Sequence, residues 1–327
     1  MGIVSKGSTN DGDSSVAALS DVAIVGGGPA GLTASIWLAR YLHSVVVVDS
    51  GDPRNWETRG INGFLGHPDI RPAQLRGMGR EEARECGVRL VDAVCDRVIR
   101  HDEDHFELVL DGGRPIHARR LLLAIGVKDV WPNLPGLSRV YGSTAHVCPD
   151  CDGHECRDLK VAVIGSGRKA VGMALNLTTW TRDIIICTNG EPANLDLPEY
   201  CEKLDALNIP VIEYPIHCVD HSGSRVQSLT FESGLALDCD KIFIAIGQYP
   251  ADDLGAQLGC ERDSGGHIIV DEAYHTSVRN CFAAGDIVPG PQLAIAAASD
   301  GAIAALAIHK TLVPAERKLE KLEHVND

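Results

Sequence analysis

Two cysteines separated by two residues are the part of this chain best suited to chemistry. Cys148 and Cys151 lie in the segment HVCPDCDG, which spans residues 146–153. A C-x-x-C pair in an α/β protein of cytosolic type is typical of a redox dithiol, because one thiolate opens a mixed disulfide and the second thiol resolves it. Glycine-rich loops precede and follow the pair, at residues 26–31 and 165–170. The sequence therefore predicts that the dithiol exchanges electrons with a bound nucleotide.

Side chains close to the dithiol are candidates for proton transfer. Asp152 directly follows the pair and is expected to give or take the proton of a departing thiol, although it could instead only cap a local helix. His154 is a second candidate, and His146, two residues before Cys148, has the same chemistry. Cys156 is interpreted as a spectator rather than as a third redox thiol.

A zinc site is the alternative use of the same segment. Its ligand types suit a tetrahedral centre, and they are Cys148, Cys151, His154 and Cys156. Zinc motifs usually bring two spaced pairs from separate turns, whereas these four residues crowd into nine consecutive positions. Together with the flanking nucleotide folds, this spacing favours redox chemistry, and no metal is predicted.

The first glycine-rich loop belongs to a complete βαβ unit. A strand at residues 21–25 enters the loop GGGPAG, an alanine-rich helix follows to about residue 42, and the next strand ends at Asp49. Gly26, Gly28 and Gly31 allow a tight turn and a close approach to a pyrophosphate, whose charge the helix N-terminus favours. Asp49 is placed to accept hydrogen bonds from ribose hydroxyls.

A second unit begins near residue 160 but lacks the nicotinamide fingerprint. A strand at 161–164 enters Gly165-Ser166-Gly167, a helix follows to about residue 180, and the next strand ends at residue 187. The segment TNGE at 188–191 then supplies no acid at the strand end for an NAD ribose and no arginine cluster for an NADP 2′-phosphate. The unit is either a structural domain or a site for another ligand, with Gly165 and Gly167 at its phosphates.

Two further segments look alike and mark the crossings between these units. Residues 121–126 and 242–247 are each a buried strand that ends in Ala-Ile-Gly. Near the end of the chain, the segment FAAGD at 282–286 precedes PQL at 291–293 and a helix of small residues from 294 to about 310.

Length and charge narrow the function further. The 327 residues are expected to form two domains, and the net charge of −15 argues against a nucleic-acid partner and an anionic membrane surface. No apolar run reaches membrane-spanning length, and the first twenty residues lack the apolar core of a signal peptide. Eleven cysteines, an odd number, argue against a disulfide framework. A cytoplasmic protein is expected.

The order of these motifs resembles that of the low-molecular-weight thioredoxin reductases. The resemblance rests on the 26–31 loop, both Ala-Ile-Gly strands, the C-x-x-C-D-G segment and the Ala-Gly-Asp at 284–286, and it covers residues 20–312. It implies a homodimeric enzyme in which a FAD domain is interrupted by a smaller pyridine-nucleotide domain. It also implies that Cys151 faces the flavin and that Cys148 meets the substrate.

The resemblance also implies which residues hold FAD. At least one FAD per chain is expected, with Asp286 at the ribityl chain and with Gln292 and Leu293 at the flavin ring. The second glycine-rich loop is expected to bind a second FAD, another nucleotide or no ligand. The predicted cofactor-binding residues are Gly26, Gly28, Pro29, Ala30, Gly31, Asp49, Gly126, Gly285, Asp286, Gln292, Leu293, Gly165 and Gly167.

Two departures from the family pattern point to one branch of it. Members that use NADPH follow the second fold with a His-Arg-Arg type cluster, where this chain has Thr188-Asn189-Gly190. The stretch Arg54–Ala73 and the segment CPDCDGHE are more similar to pyridine-nucleotide-independent disulfide oxidoreductases and thiol oxidases. Members of that branch use ferredoxin, a second flavin or oxygen in place of NADPH.

The sequence thus predicts an α/β fold with two Rossmann-like nucleotide-binding domains. The FAD-binding domain is expected at residues 21–127 and 248–315, and the inserted NAD(P)-type domain, which carries the C-x-x-C pair, at 128–247. Residues 1–20 and 316–327 are expected to be tails.

The predicted function is that of a FAD-dependent disulfide oxidoreductase that does not use NAD(P)H. The alternatives are an NADPH-dependent thioredoxin reductase with an unusual NADPH site, a small-dithiol oxidase that uses oxygen, and a redox-sensing interaction module. The expected partners are a thioredoxin-like protein or a small dithiol or disulfide, ferredoxin as an electron partner, and a second copy of the chain.

Overall fold

The structure, a computed structural model, describes residues 19–319, so most of the two predicted tails lies outside it. The strands are β1 (Ser20–Val25), β2 (Val45–Asp49), β3 (Arg89–Asp92), β4 (Cys95–Asp102), β5 (His105–Leu110), β6 (Ile116–Leu123), β7 (Val127–Asp129), β8 (Ala145–His146), β9 (Val161–Ile164), β10 (Ile184–Cys187), β11 (Val211–Ile212), β12 (Ile216–Ser222), β13 (Arg225–Phe231), β14 (Ala236–Asp238), β15 (Lys241–Ile244), β16 (Gln248–Pro250) and β17 (Cys281–Ala283). The helices are α1 (Pro29–Arg40), α2 (Pro72–Glu85), α3 (Leu137–Val140), α4 (Pro149–Asp152), α5 (Gly167–Leu177), α6 (Pro198–Ala206), α7 (Leu254–Gln257) and α8 (Ala294–Leu312), with 3₁₀ turns at His154–Cys156 and Ala315–Arg317.

β1 is a central strand of a seven-stranded sheet. It pairs in parallel with β2 on one side and with β6 on the other. The sheet runs β3-β2-β1-β6-β5-β4, and β17 also pairs with β6. All five residues of β2 are buried, as expected for a parallel strand covered on both faces. The first predicted βαβ unit is therefore present, and its helix and strands end within two residues of their predicted ends.

α1 packs closely against α8 at the first glycine-rich loop. A Cβ on Gly301 of α8 would lie 2.1 Å from the carbonyl oxygen of Ala30. Farther along α8, the side chains of Ala304 and Ala305 are wholly buried in the core shared with α1. The predicted helix of small residues therefore has a packing reason, because larger side chains would push α8 away from the loop.

The inserted segment forms the second predicted nucleotide unit. Its parallel five-stranded sheet has the order β11-β10-β9-β15-β8, and α5 follows β9 as the glycine-rich loop predicts. A three-stranded antiparallel sheet, β12-β13-β14, shares one hydrophobic core with it. The predicted α/β fold with two Rossmann-like units is confirmed.

A short ribbon, β7 and β16, carries the chain between the two units. The two strands begin directly after Gly126 and Gly247 and pair antiparallel, with Asp129 opposite Gln248. The strands of both Ala-Ile-Gly segments end before those three residues, which therefore form the turns into the ribbon. The predicted domain boundaries fall at this ribbon and stay predictions.

We expect Gly301→Ala to destabilise the protein, because the new methyl group would overlap the backbone of α1. Overpacking of this kind costs about 2 kcal/mol. The matched control is Gly77→Ala in α2, where a Cβ meets nothing within 4 Å. Removing that exposed helical glycine should stabilise by about 0.5–1 kcal/mol. Thermal unfolding of both variants checks this, and equal melting temperatures would contradict the close crossing.

Candidate active site

Cys148 and Cys151 form a disulfide at the start of α4, with their Cα atoms 5.3 Å apart. Cys148 is the N-cap residue, and its Sγ accepts a hydrogen bond from the backbone N–H of Cys151 at 3.1 Å. Pro149 suits the first helical position because its missing N–H would have no partner there. Both cysteines are partly exposed, so a substrate sulfur can reach the pair.

The turn after the dithiol is fixed by packing against the second unit. A Cβ on Gly153 would lie 2.4 Å from the ring of Trp180 and 2.5 Å from the carbonyl oxygen of Pro149. Gly153 is itself buried. The glycine of the C-x-x-C-D-G segment is therefore required by the contact between α4 and Trp180.

Polar contacts hold the dithiol from both nucleotide units. Asn176 of α5 donates from Nδ2 to Oδ1 of Asp150 at 3.1 Å. From the other side, Asn62, in the segment between β2 and α2, donates from Nδ2 to the carbonyl oxygen of Cys151 at 2.9 Å. The stretch that the sequence marks as unusual, residues 54–73, thus reaches the redox pair.

Asp152 and His146 are the proton-transfer candidates that the structure brings together. Nδ1 of His146 lies 3.2 Å from Oδ1 of Asp152, and the two side chains are only 7% and 16% exposed. Asp152 ends α4, so it does not cap the N-terminus of that helix. His154 is exposed on the next 3₁₀ turn, and its side chain makes no hydrogen bond to residues 19–319. The role predicted for His154 stays a prediction.

Cys156 is wholly buried behind the dithiol. Its Sγ donates to the carbonyl oxygen of Asp152 at 3.3 Å. Burial raises the pKa of this thiol to about 11, against the opposing charge of Lys241. A thiol that is inaccessible and protonated supports the spectator interpretation. Among the described residues, no cluster of three or more His, Cys, Asp or Glu side chains could hold a metal.

The loop after β1 is shaped so that a ligand can approach its backbone. A Cβ on Gly26, whose φ is +110°, would lie 2.1 Å from the carbonyl oxygen of Ala124, and one on Gly31 would lie 1.9 Å from that of Gly26. At Gly28, by contrast, a Cβ would meet nothing within 4 Å among residues 19–319, and no side chain of that range caps the N-terminus of α1. An open backbone position at an uncapped helix N-terminus fits a pyrophosphate such as that of FAD.

Other predicted cofactor residues surround the same loop. Pro29 begins α1, and Gly285 follows β17 with a φ of +81°, where a Cβ would lie 2.8 Å from that of Ala30. Gly126, with a φ of +68°, begins the turn into the ribbon, and its carbonyl oxygen accepts from the N–H of Ala251 at 3.1 Å. Residues without a bulky side chain therefore surround the first glycine-rich loop, and at Gly285 a larger residue would collide with Ala30.

Asp49 has partners that the sequence did not indicate. Its Oδ2 accepts from Arg80 at 2.9 Å and also from Arg76. Both arginines come from α2, and Asp49 is only 8% exposed. A buried carboxylate needs such partners to offset its lost hydration. The predicted contact between Asp49 and a ribose stays a prediction.

Arg54 links the predicted flavin residues to the ribbon between the units. Its Nε and NH2 donate to the two carboxylate oxygens of Asp129 at 2.8 and 2.6 Å. Its NH1 donates to Oε1 of Gln292 at 2.7 Å and to Oδ2 of Asp286 at 3.3 Å. The fifth contact, at 3.3 Å, is from NH2 to Oε1 of Gln248. Two carboxylates and two amides therefore share one guanidinium group.

Burial and charge set the protonation of this cluster. Burial lowers the pKa of Arg54, but the hydrogen bonds and the charge of Asp129 outweigh it, and the net shift is upward. Burial raises the pKa of Asp286, and the charge of Arg54 offsets only part of that rise. Removing Arg54 would therefore leave two buried carboxyl groups, Asp129 and Asp286, without the cation that they share.

A cleft of about 240 Å³ lies between α1, α2 and the segment that precedes α2. Its walls are mostly apolar, and Leu32, Ile61, Phe64 and Met78 are among them. One end of the cleft reaches the backbone of Gly28, and the wall carrying Ile61 belongs to the segment that contacts the dithiol. The cleft therefore reaches the first glycine-rich loop, and the segment that forms one of its walls also contacts the dithiol.

The second glycine-rich loop is covered by the chain itself. The N–H of Gly167, the first residue of α5, donates to the carbonyl oxygen of Ala193 at 2.8 Å. A Cβ on Gly167 would lie 3.5 Å from the Cβ of Asn194. The covering segment is held in place because the N–H of Ala193 donates to Oε1 of Glu213 at 2.6 Å. In the part of the chain that the structure describes, no segment covers the first loop at Gly28 in this way.

The charges around the second loop are arranged differently from those of a phosphate site. Lys169, which lies in the loop sequence, donates from Nζ to the carbonyl oxygen of Ile246 at 3.1 Å, next to the ribbon. Gly165 has a φ of +156°, and a Cβ there would lie 2.6 Å from the carbonyl oxygen of Ala245. Close packing therefore requires a glycine at position 165, whether or not a ligand binds.

Several residues of this site escape prediction from sequence. Arg54, Asp129 and Gln248 stand in no recognisable motif, and only Arg54 falls in the stretch that departs from the family pattern. Lys241, whose Nζ lies 3.4 Å from Nε2 of His146, begins a strand and has no sequence signal at all.

Comparisons with known proteins place this geometry in a family. Residues 20–301 match the model of the pyridine nucleotide-disulphide oxidoreductases. The thioredoxin reductase tcpT of Claviceps purpurea is 30% identical over 277 residues, which cover 81% of this chain and 86% of that protein. The thioredoxin reductase of Helicobacter pylori is 28% identical, with 88% and 97% covered. The crystal structure of HlmI superposes with a TM-score of 0.85 at 31% identity and covers 90% of this chain and 93% of HlmI.

No helix within residues 19–319 is long and apolar enough to cross a membrane.

We expect Arg54→Gln to lower the stability of the FAD-loaded protein by about 3 kcal/mol, because it leaves the buried carboxylate of Asp129 without a charged partner. The paired variant Arg54→Gln/Asp129→Asn should recover much of that loss. Thermal unfolding of the two variants beside the native protein measures both effects. Equal melting temperatures for the single and the paired variant would contradict the ion pair.

The cost of Arg54→Gln should also depend on pH. A carboxyl group whose pKa is raised by folding binds its proton more tightly in the folded chain, so stability falls as the pH rises through that pKa. Loss of Arg54 raises the pKa of Asp286 further and extends this fall upward. The melting-temperature difference from the native protein should therefore be larger at pH 8 than at pH 5. A difference that is constant between these pH values would contradict it.

Proposed function

The chain belongs to the pyridine nucleotide-disulphide oxidoreductase family, and we propose that it exchanges electrons between FAD and a thiol or disulfide substrate without using NAD(P)H efficiently. Its relatives make it a thioredoxin reductase-like, FAD-dependent thiol–disulfide oxidoreductase. We assign the reaction to Cys148 and Cys151, and the electrons to a partner other than a pyridine nucleotide.

The cover over the second glycine-rich loop is the observation that carries the proposal. An amide that would meet a pyrophosphate, the N–H of Gly167, already donates to Ala193. Residues 183–202 contain no Lys or Arg, whereas they bring Glu191 and Asp196 to the exposed surface beside the loop. The carboxylates of Glu191 and Asp196 would repel a 2′-phosphate placed there, and Arg168, the exposed arginine of the loop, has the carboxylate of Glu199 beside it. The excess of carboxylates around the loop opposes NADPH binding.

Other electron partners then take the place of the pyridine nucleotide. The candidates are ferredoxin, a second flavin and molecular oxygen. We place one FAD at the first glycine-rich loop, where Gly28 faces open space, and we assign Asp286 to its ribityl chain and Gln292 and Leu293 to its ring. FAD supplies a group that can accept or give two electrons.

The thiol exchange itself needs only the two cysteines. The Cys148 thiolate attacks one sulfur of a substrate disulfide, and the other substrate sulfur leaves as a thiolate. The Cys151 thiolate then attacks Sγ of Cys148, which releases the second substrate thiolate and closes the Cys148–Cys151 disulfide. The two electrons of the dithiol have passed to the substrate, and the same steps in reverse oxidise a substrate dithiol.

Asp152 is the group that we assign to proton transfer in these steps. A protonated carboxyl group gives its proton to the departing thiolate, and the carboxylate takes one from an entering thiol. Asp152 follows Cys151 directly and is held by His146, so its position does not depend on a flexible loop. His154 remains a candidate for the same role on the exposed side.

A small dithiol oxidised with oxygen as acceptor is the second candidate. The segment between β2 and α2 favours it, because residues 54–73 are more similar to thiol oxidases than to the usual reductases and reach Cys151 through Asn62. A thioredoxin-like protein would instead have to reach the dithiol from its exposed side, and it stays in the proposal because several relatives are named thioredoxin reductases.

Anaerobic stopped-flow mixing of the FAD-loaded protein with NADPH and then NADH tests the electron source. We expect the flavin absorbance to persist for minutes at millimolar nucleotide and to bleach promptly with a dithiol such as dithiothreitol. Rapid bleaching by NADPH would overturn the proposal in favour of an NADPH-dependent reductase. Peroxide formed on admitting oxygen with a dithiol would single out the oxidase.

We expect Cys148→Ser and Cys151→Ser each to abolish dithiol-driven bleaching while FAD remains bound, because one sulfur cannot close the disulfide. Cys201→Ser is the matched control, since Cys201 is an exposed free cysteine on α6. It should leave the bleaching unchanged. Bleaching that persists in both single variants would remove the dithiol from the electron path.

A further inference from the structure

A chain of polar side chains lies behind the dithiol, and the thiol exchange leaves two of its members unused. Nδ1 of His146 faces Oδ1 of Asp152 at 3.2 Å, and Nε2 of the same ring faces Nζ of Lys241 at 3.4 Å. Lys241 also donates to the carbonyl oxygen of Ser143 at 3.3 Å. The imidazole is therefore held between an ammonium group and a carboxylate.

Backbone pairing fixes these groups relative to one another. β8 and β15 pair in parallel, with His146 opposite Phe243. The rings of His146 and Phe243 lie 5.6 Å apart, and His146 is only 7% exposed. Lys241 is two residues before Phe243 on the same strand, so its side chain points to the same face of the sheet. The pairing of β8 with β15 therefore fixes the contact between Lys241 and His146.

The donors and acceptors of the chain determine the form of the imidazole. An ammonium group can only donate hydrogen bonds, so Nε2 of His146 must accept and carries no proton. The single proton of the neutral ring is then on Nδ1, where it is donated to Asp152. An imidazolium ring would place N–H against the ammonium group of Lys241, and two cations in contact repel each other.

We propose that Lys241 and His146 are positioning residues for Asp152, which they hold through the neutral Nδ1–H form of the imidazole. The role rests on the proton transfer proposed for Asp152. With Oδ1 occupied by His146, the oxygen that lacks a side-chain partner in residues 19–319 is Oδ2, and it is left to exchange a proton with the thiols.

Three other titratable side chains lie near this chain: Tyr141, Cys156 and Glu155. Tyr141, from the end of α3, has its pKa raised by burial, and burial raises the pKa of Cys156 to about 11. Glu155 adds a negative charge on the exposed side of the 3₁₀ turn. A change of behaviour near neutral pH on substituting Lys241 therefore reports on Asp152, His146 and the dithiol.

Ring ¹⁵N spectra of histidine-labelled protein in the oxidised state test the inference, with His146 assigned by His146→Gln. We expect an Nδ1–H signal pattern for His146 in the native protein and in Lys241→Arg, which still donates. In Lys241→Met, Asp152 still accepts from Nδ1 and no ammonium group keeps a proton off Nε2, so we expect the signals of a ring protonated on both nitrogens. A native Nε2–H pattern, or an unchanged pattern in Lys241→Met, would overturn it.

The pH profile of dithiol-driven bleaching gives a second readout. Lys241→Met should move its midpoint by about one pH unit, whereas Lys241→Arg should keep it. Unchanged midpoints in both variants would overturn the positioning role. Neither readout uses NAD(P)H, so failure of this inference is distinct from failure of the proposed electron source. If Lys241→Met does not fold, the native and Lys241→Arg spectra still decide the form of His146.

Discussion

The ion pair between Arg54 and Asp129 is the interaction on which the rest of the site depends. Asp129 has only 6% of its side chain exposed, and a buried charge is tolerated only with a partner and hydrogen bonds. Its partner comes from the segment after β2, and Asp129 itself lies on the ribbon between the two units. The same guanidinium group holds Gln292 and Asp286, so one charge joins the ribbon to the residues assigned to the flavin.

The two glycine-rich loops show how one motif can have two uses. Both follow a buried parallel strand and begin a helix, and both contain glycines that close packing requires. Gly28 faces open space, whereas the amide of Gly167 is bonded to the chain's own Ala193. The first loop leaves its backbone at Gly28 open to a phosphate. In the second loop, the N–H of Gly167 is already hydrogen-bonded within the chain. The dithiol contacts both units, through Asn62 of the first and Asn176 of the second, and we propose that it exchanges electrons only with the first.

Local patterns allowed much of this arrangement to be predicted. The βαβ units, the Ala-Ile-Gly turns and the C-x-x-C pair depend on neighbours in sequence, so glycine spacing and apolar runs reveal them. Arg54 and Asp129 are 75 residues apart, and Lys241 and His146 are 95 apart, so these pairs exist only once the sheets are formed. The arginine partners of Asp49 are likewise invisible beforehand, because an acid after a strand has the same pattern whether it is paired or free.

We infer that the second nucleotide unit does not deliver electrons from a pyridine nucleotide. Calorimetric titration of the FAD-loaded, oxidised protein with NADP⁺ and NADPH tests this most directly, because it measures binding without requiring a reaction. We expect no saturable binding up to millimolar nucleotide. A dissociation constant in the micromolar range would contradict it, since the cover over Gly167 and the carboxylates beside it would then fail to keep the nucleotide out.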